Sequence, residues 1–295
     1  MNELYHISNC PICNATAFEK FLEAKDYTVS QKMFTIVECK NCGFHFTNPI
    51  PKLEDIGSYY KAESYVSHTS TNKGLINKIY QLVRSYTLKQ KVKLISKLAN
   101  GKQLLDIGAG TGHFINAATS ANFNALGLEP DEDARQLAKE LHKANIKPIE
   151  ELYKLKDDSM DIITMWHVLE HVYHLKDDLK QITSVLKHNG TLIIAVPNMS
   201  AYDAKKYKSH WAAYDLPIHL YHFQPKDIKN LFEQYNMRVD KILPMKFDSF
   251  YVSMLSEKYK GGNLFSAFYT GLKSNLKAKQ DSYSSQIYIL RKNVK

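Results

Sequence analysis

Apolar positions along this chain follow two alternating rhythms. Short apolar runs, Leu104-Leu105 before Asp106-Ile107, Ala125-Leu126-Gly127-Leu128, Ile162-Ile163 and Leu192-Ile193-Ile194-Ala195-Val196, have the length and composition of buried strands. Between them apolar residues recur at helical spacing, as in the stripe Ala134, Leu137, Ala138 and Leu141. The pattern predicts strand 103–107, helix 113–121, strand 125–128, helix 131–144, a short strand near 146–149, strand 160–166, helix 175–187 and strand 191–196. Helix 226–235 and strands near 238–244 and 285–291 follow. Such alternation specifies a parallel sheet with helices on both faces. Upstream, Ile76, Ile79, Tyr80, Val83, Val92, Ile95 and Leu98 place a helix from Leu75 to Leu98, ended by Asn100-Gly101. Thr35-Ile36-Val37-Glu38 alternates weakly and suggests a hairpin, and Asn48-Pro49-Ile50-Pro51 marks a turn or linker.

The run Leu104-Leu105-Asp106-Ile107-Gly108-Ala109-Gly110-Thr111-Gly112 reads as a strand, a glycine turn and a helix start, and Glu129 ends the next apolar run. Glycines let a ligand approach the backbone closely, and an acidic group about 20 residues further on can bind ribose hydroxyls. The spacing differs from the dinucleotide pattern, and Asp106 would repel a bound pyrophosphate. A carboxylate there suits a cationic or zwitterionic ligand. S-adenosylmethionine (SAM) carries a sulfonium and an amino group and no phosphate. The turn resembles motif I of the class I SAM-dependent methyltransferases, and Glu129 resembles their acidic ribose ligand. The resemblance continues through Met160–Val172, with its His-Val-Leu-Glu-His-Val segment, the Lys187-His188-Asn189-Gly190 turn and the strand Thr191–Asn198, and spans about residues 85 to 295. It implies a Rossmann-like α/β fold with a seven-stranded sheet whose last strand is antiparallel. It also implies SAM contacts from Asp106, Gly108, Ala109, Gly110, Thr111, Gly112 and Glu129. His113, at the helix start, is placed near the methionine carboxylate of SAM, Trp166 near the adenine, and His167 at the cofactor edge.

The four cysteines form two C-x-x-C pairs, Cys10/Cys13 and Cys39/Cys42. Four thiolates from two such knuckles make a closed tetrahedral set suited to structural zinc, and leave no open position for catalysis. The expected organisation is a zinc ribbon over 1–50, a linker and basic amphipathic helix covering the core over 51–100, and the SAM-binding domain over 101–295, with insertions at about 198–224 and 247–283. The net charge of +9 concentrates between Ser64 and Leu105, a stretch without Asp or Glu that holds Lys73, Lys78, Arg84, Lys89, Lys91, Lys93, Lys97 and Lys102. Its plain reading is a core-covering helix with a solvated lysine face; its sharper reading is a surface for membrane lipid, nucleic acid or a phosphorylated substrate. No apolar run reaches membrane-spanning length and Met1–Tyr5 begins no secretory signal, so a cytoplasmic location is expected.

Methyl transfer from a sulfonium requires alignment of the nucleophile and removal of its proton where it has one. The densest set of candidate bases is Trp211–Phe223 in the first insertion, which resembles a W-x-x-x-D-x-P-x-H-L-x-H-F segment of methyltransferases of this general type. His219 and His222 lie three apart, and a helical turn would put them on one side. His167 and His171 flank Glu170 and shape the same edge; Tyr59, Tyr60 and Tyr65 are placed to fold over a ligand. The paired knuckles, the Tyr59-Tyr60 segment and this core resemble zinc-containing methyltransferases of sugars and other small metabolites. The resemblance implies a SAM-dependent methyltransferase acting on a small metabolite such as a sugar, a quinone or a lipid-like precursor, with His219, His222 and His167 as catalytic candidates. The rival readings are an RNA or protein methyltransferase that docks through the ribbon and basic helix, and a non-catalytic SAM-binding scaffold. The sequence leaves the oligomeric state open.

Overall fold

The computed structural model describes residues 4–68, 75–279 and 281–293. The side chains of residues 61–80, among them Tyr65, Lys73, Ile76, Lys78, Ile79 and Tyr80, lie outside the described residues.

The centre is a seven-stranded sheet. Its strands are β6 (Gln103–Ile107), β7 (Asn124–Leu128), β8 (Ile146–Lys147), β9 (Met160–Trp166), β10 (Leu186–Pro197), β12 (Met237–Pro244) and β13 (Ser285–Lys292), in the order β12-β13-β10-β9-β6-β7-β8. β13 lies antiparallel between β10 and β12, while β6, β7, β8, β9 and β10 pair in parallel. The strand order reverses between β6 and β9, and in such sheets ligands bind outside the carboxyl ends of the strands at that reversal. Helices α2 (Leu75–Leu98), α3 (His113–Ser120), α4 (Glu132–His142), α5 (Leu175–Val185) and α7 (Pro225–Glu233) cover the two faces. One core layer gathers Ile95, Leu104, Ile115, Ile162, Ile193 and Ile289; the other gathers Leu105, Leu128, Ile163, Leu179, Ile194 and Leu290. Alternate strand residues fill opposite layers, as the pleat requires.

The cysteine segment is not a separate body. Strands β2 (Phe18–Lys25), β3 (Met33–Cys39) and β4 (His45–Thr47) form an antiparallel sheet completed by β11 (Tyr221–His222), which comes from the insertion after β10. Phe44 and Phe46 belong to the same buried cluster as Leu169, Leu220 and Phe223. A boundary near residue 50 therefore divides the sequence but not the core. A two-residue pairing of β1 (Leu4–Tyr5) with β5 (Ile50–Pro51) closes the segment, and α1 (Leu53–His68) follows.

The two insertions pack on each other. The first contains α6 (Tyr202–Tyr207), two short helical turns and β11; the second is a hairpin of α8 (Asp248–Lys260) and α9 (Leu264–Lys277). The fully buried Asp203 accepts hydrogen bonds from Trp211 Nε1 (2.8 Å), Ser274 Oγ (2.6 Å) and Ser284 Oγ (2.6 Å), tying both insertions to the end of β13. Among the described residues no helix is long and apolar enough to cross a membrane.

Candidate functional site

The turn after β6 assigns its three glycines different tasks. All have positive φ, +72° at Gly108, +50° at Gly110 and +78° at Gly112, where a side chain is strained. A Cβ on Gly108 would lie 2.3 Å from Val168 Cγ2 and one on Gly112 would lie 2.9 Å from Ala138 Cβ, so these two glycines permit close packing. A Cβ on Gly110 would meet nothing within 4 Å; this is the glycine that faces open space. The Gly110 N–H donates to Glu129 Oε2 (2.8 Å), and the Asp131 N–H donates to Glu129 Oε1 (3.0 Å). Each carboxylate oxygen keeps acceptor capacity for a diol. Burial pushes the Glu129 carboxyl above its usual range, while those two backbone donors oppose the shift.

Asp106, the penultimate residue of β6, pairs with Thr164 of β9, whose Oγ1 donates to Asp106 Oδ1 at 2.5 Å. Burial pushes the Asp106 carboxyl up to about 7, with the Thr164 hydrogen bond and the Lys91 cation pulling it down. Lys91 departs from a uniformly solvated lysine face. Lys89, Lys93 and Lys97 are exposed, but Lys91 turns inward, with Nζ 4.3 Å from the Trp166 ring centroid. Burial holds its ammonium below the ordinary value, and Asp106 and Asp248 oppose that. Trp166 also packs edge-on against Phe114. His113 Nδ1 meets His142 Nε2 at 2.9 Å, and burial with nearby Arg84 and His142 lowers it to about 4.

Across the strand ends lies a second group. His167 has a positive φ of 58°, fixed by its N–H donating to Ala195 O at 2.9 Å. Its Nδ1 lies 3.4 Å from Glu170 Oε1 and its Nε2 lies 3.2 Å from Asp248 Oδ2, at the start of α8. Burial alone would lower its pKa, but these two carboxylates outweigh it and raise the imidazole to about 9. The chain then turns through Leu169–His171. His171 Nδ1 lies 3.0 Å from Ile218 O and 2.9 Å from Tyr60 Oη. His219 Nδ1 lies 2.9 Å from Ala213 O, and its ring stands edge-on to His171 with centroids 4.6 Å apart. Burial and the neighbouring His171 and His222 hold His219 well below the usual imidazole range.

His219 and His222 do not share a helical turn. The segment is extended into β11, and the two rings take different environments. His222 Nε2 is 3.0 Å from Thr47 Oγ1, its ring packs edge-on to Tyr214, and burial lowers it to about 3. Thr47 Oγ1 also lies 2.7 Å from His219 O, to which it donates, so a ribbon strand holds the His219 backbone. Tyr59 is buried against Phe34.

The four cysteines converge, with Cys10 Sγ 3.6 Å from Cys42 Sγ and Cys13 Sγ 3.5 Å from Cys39 Sγ. Sulfurs about 2.3 Å from a tetrahedral zinc stand about 3.8 Å apart, so the set fits zinc. Each knuckle has a left-handed residue after its second cysteine, Asn14 (φ 62°) and Gly43 (φ 70°), the two residue types that tolerate it best.

Lys91, Thr164, Asp248 and Thr47 join these sites without a motif in the sequence. Lys91 had one available indicator, its position two residues from exposed Lys89 and Lys93 on a helix, which turns it to another side.

Similarity to known proteins bears on the family and the fold. A family profile described as a methyltransferase domain matches residues 80–242, more than half of the chain. An uncharacterized methyltransferase of Mycolicibacterium vanbaalenii is 33% identical over 90 residues, which cover 28% of this chain and 35% of that protein. The chain thus spans about a third of the length of the first curated relatives it matches. Among solved structures, a SAM-dependent methyltransferase from Archaeoglobus fulgidus aligns with a TM-score of 0.51 at 19% identity, covering 71% of this chain and 94% of that one. The magnesium protoporphyrin IX methyltransferase of Synechocystis PCC 6803, solved with bound SAH, aligns with a TM-score of 0.53 at 14% identity, covering 82% of this chain and all of that one. At these identities the structures show a shared fold.

Proposed function

The chain belongs to the methyltransferase-domain family, and on that premise we propose that it is a SAM-dependent methyltransferase that methylates a small metabolite: a sugar, a quinone or a lipid-like precursor. The cofactor supplies an activated methyl group on a sulfonium. The open space above Gly110 and the two-oxygen acceptor of Glu129 fit a nucleoside with a ribose diol. We assign Gly108, Ala109, Gly110, Thr111 and Gly112 to the backbone cradle, Glu129 to the ribose hydroxyls and Asp106 to the cationic end. Lys91 and Trp166 close this side, and His113, paired with His142, lines the helix start.

We assign the acceptor to the facing group of His167, Glu170, His171 and His219. Both ring nitrogens of His167 face carboxylates, Asp248 at 3.2 Å and Glu170 at a looser 3.4 Å, so His167 sits between two anions as a cation that orients and does not take a proton. His222 spends Nε2 on Thr47 and supports the loop.

Enclosure carries the small-molecule reading. His219 is 8% exposed, and the acceptor group is assembled under α1 and both insertions, which leaves little room for a polymer. Within that class, α9 favours a lipid-like acceptor. Leu264, Phe265, Phe268 and Leu276 stand exposed on it, Phe265 at 90%, flanked by Lys273 and Lys277. An apolar helical stripe with basic flanks is what an interfacial surface presents.

The test is incubation with methyl-labelled SAM and a cell extract, followed by separation into RNA, protein, lipid and small polar fractions. Label in the lipid or small polar fraction supports the proposal. Label in RNA or protein overturns it and makes the ribbon and basic helix a docking surface.

A further inference from the structure

Alignment and proton removal do not account for one feature of the acceptor group. Glu170 is fully buried, and neither of its carboxylate oxygens accepts a hydrogen bond. The His167 Nδ1 contact, at 3.4 Å, is longer than a charge-assisted hydrogen bond, and the other nitrogen of that ring is taken up with Asp248. A buried carboxylate so poorly satisfied is costly unless another positive group completes it.

We propose that Glu170, His171 and His219 are the protein ligands of a single divalent transition-metal ion. One oxygen of Glu170 and one ring nitrogen of each histidine lie within 4.8 Å of one another. Ligand atoms about 2.1 Å from an ion stand about 3 Å apart when adjacent, so small side-chain rotations close the set. The carbonyl partners favour the tautomers a metal needs. A backbone carbonyl only accepts, so His219 Nδ1 donates to Ala213 O and leaves its lone pair on Nε2. His171 Nδ1 faces Ile218 O at 3.0 Å and the Tyr60 hydroxyl at 2.9 Å, and donating to the carbonyl likewise leaves the lone pair on Nε2. Outer-shell anchoring of this kind, with the second ring N–H on a carbonyl, is what metal-ligating histidines show.

The backbone around the three ligands is held as tightly as the rings. The Leu220 N–H donates to Glu170 O at 2.8 Å, linking the turn that carries two ligands to the segment that carries the third. Thr47 fixes the carbonyl of His219 from the other side. Two imidazoles and one carboxylate suit manganese, iron, cobalt or zinc, and three protein ligands leave positions open, unlike the closed four-thiolate set. Resting on the small-acceptor reading above, the open positions take an oxygen of the acceptor and turn it toward the methyl donor.

The test uses the full chain given one equivalent of Zn²⁺, which the softer four-thiolate site takes first. Mn²⁺ is then titrated and the free ion is followed by electron paramagnetic resonance, with neither SAM nor acceptor present. The expected result is one Mn²⁺ bound per chain. Electron spin-echo modulation on that complex should show two imidazole nitrogens. Glu170→Gln and His219→Gln should each weaken binding about tenfold or more while keeping their zinc. A chain that leaves Mn²⁺ free, a bound ion without imidazole couplings, or variants that bind as the parent does would each overturn the proposal, and the parent spectrum decides if a variant does not fold. Because no methyl donor or acceptor enters the assay, bound metal together with label in RNA would defeat only the small-molecule reading.

Discussion

The cofactor half and the acceptor half of the site are built in opposite ways. The cofactor half comes from a short stretch of chain, one strand, one turn and the end of the next strand, with Gly110 and Glu129 joined by a hydrogen bond across 19 positions. The acceptor half joins distant parts. Tyr60 reaches His171 across 111 positions, Thr47 reaches His219 across 172, and Asp248 reaches His167 from the second insertion. The first half depends on local backbone geometry, and the second on how the insertions and ribbon dock. The two should fail independently.

The largest effect expected is on the cofactor half. Gly110→Arg should weaken SAM binding by about 100-fold or more in calorimetry, because the side chain fills the space above the turn while nothing in the protein is displaced. Its stability should fall by only about 1–2 kcal/mol, the strain of a side chain at positive φ, because the new Cβ meets no neighbouring atom. Gly108→Ala should behave differently, since its methyl group would meet Val168 at 2.3 Å. That variant should lose about 1–3 kcal/mol of stability from overpacking, together with its SAM affinity. Equal SAM affinity for Gly110→Arg and the parent would dissociate the turn from the cofactor.

The acceptor half should respond to substitutions that leave SAM alone. His219→Ala should lower turnover by about 100-fold, the usual scale for removing a group that handles a reacting proton or its substitute, with SAM affinity unchanged. His222→Ala should cost stability, because Thr47 loses one of its two partners in a buried site and a cavity opens beside Tyr214, and should lower turnover less. Reversed outcomes for the two histidines would exchange their roles. Cys39→Ser probes the same half from further away. It should release the zinc, measured by metal analysis, and loosen the strand that ends in Thr47. Turnover should then fall through His219 while SAM affinity holds. A Cys39→Ser protein with full zinc would sink the four-thiolate site.

This contrast also sets what the sequence shows. The strand and helix order and the cysteine convergence follow from patterns a few residues long, the antiparallel last strand from the family resemblance, and all appear in the structure with boundaries shifted by a few residues. The environments of His219 and His222 were not legible. Their spacing of three suits a helix, but the chain there extends to pair with β4, and that pairing depends on a partner about 175 positions away. Lys91 was hidden for a related reason. In a run of lysines composition favours solvent, and only the packing of α2 on the sheet shows which lysine faces Trp166. The loose hydrogen bonding of Glu170 is a property of burial, to which no sequence pattern corresponds.

The smallest effect expected lies where the basic helix meets the cofactor half, at Asp106 and Lys91. Burial raises the Asp106 carboxyl to about 7, so in the free enzyme it passes from neutral to anionic across neutral pH. A folded-state value above the unfolded one, near 4, means that ionisation costs stability as pH rises between the two. A cationic ligand reverses that preference, because it interacts favourably with the anion and not with the acid. SAM affinity should therefore rise with pH through about 7, by severalfold between pH 6 and pH 8. Asp106→Asn should flatten this dependence and bind about tenfold more weakly at pH 8. Lys91→Met removes the cation that assists ionisation, so the midpoint should move upward while the shape persists. Calorimetric titrations at a series of pH values would measure all three. A parent profile as flat as that of Asp106→Asn would mean that the carboxylate serves Thr164 and the strand pairing, and that the cationic end of the ligand is held elsewhere.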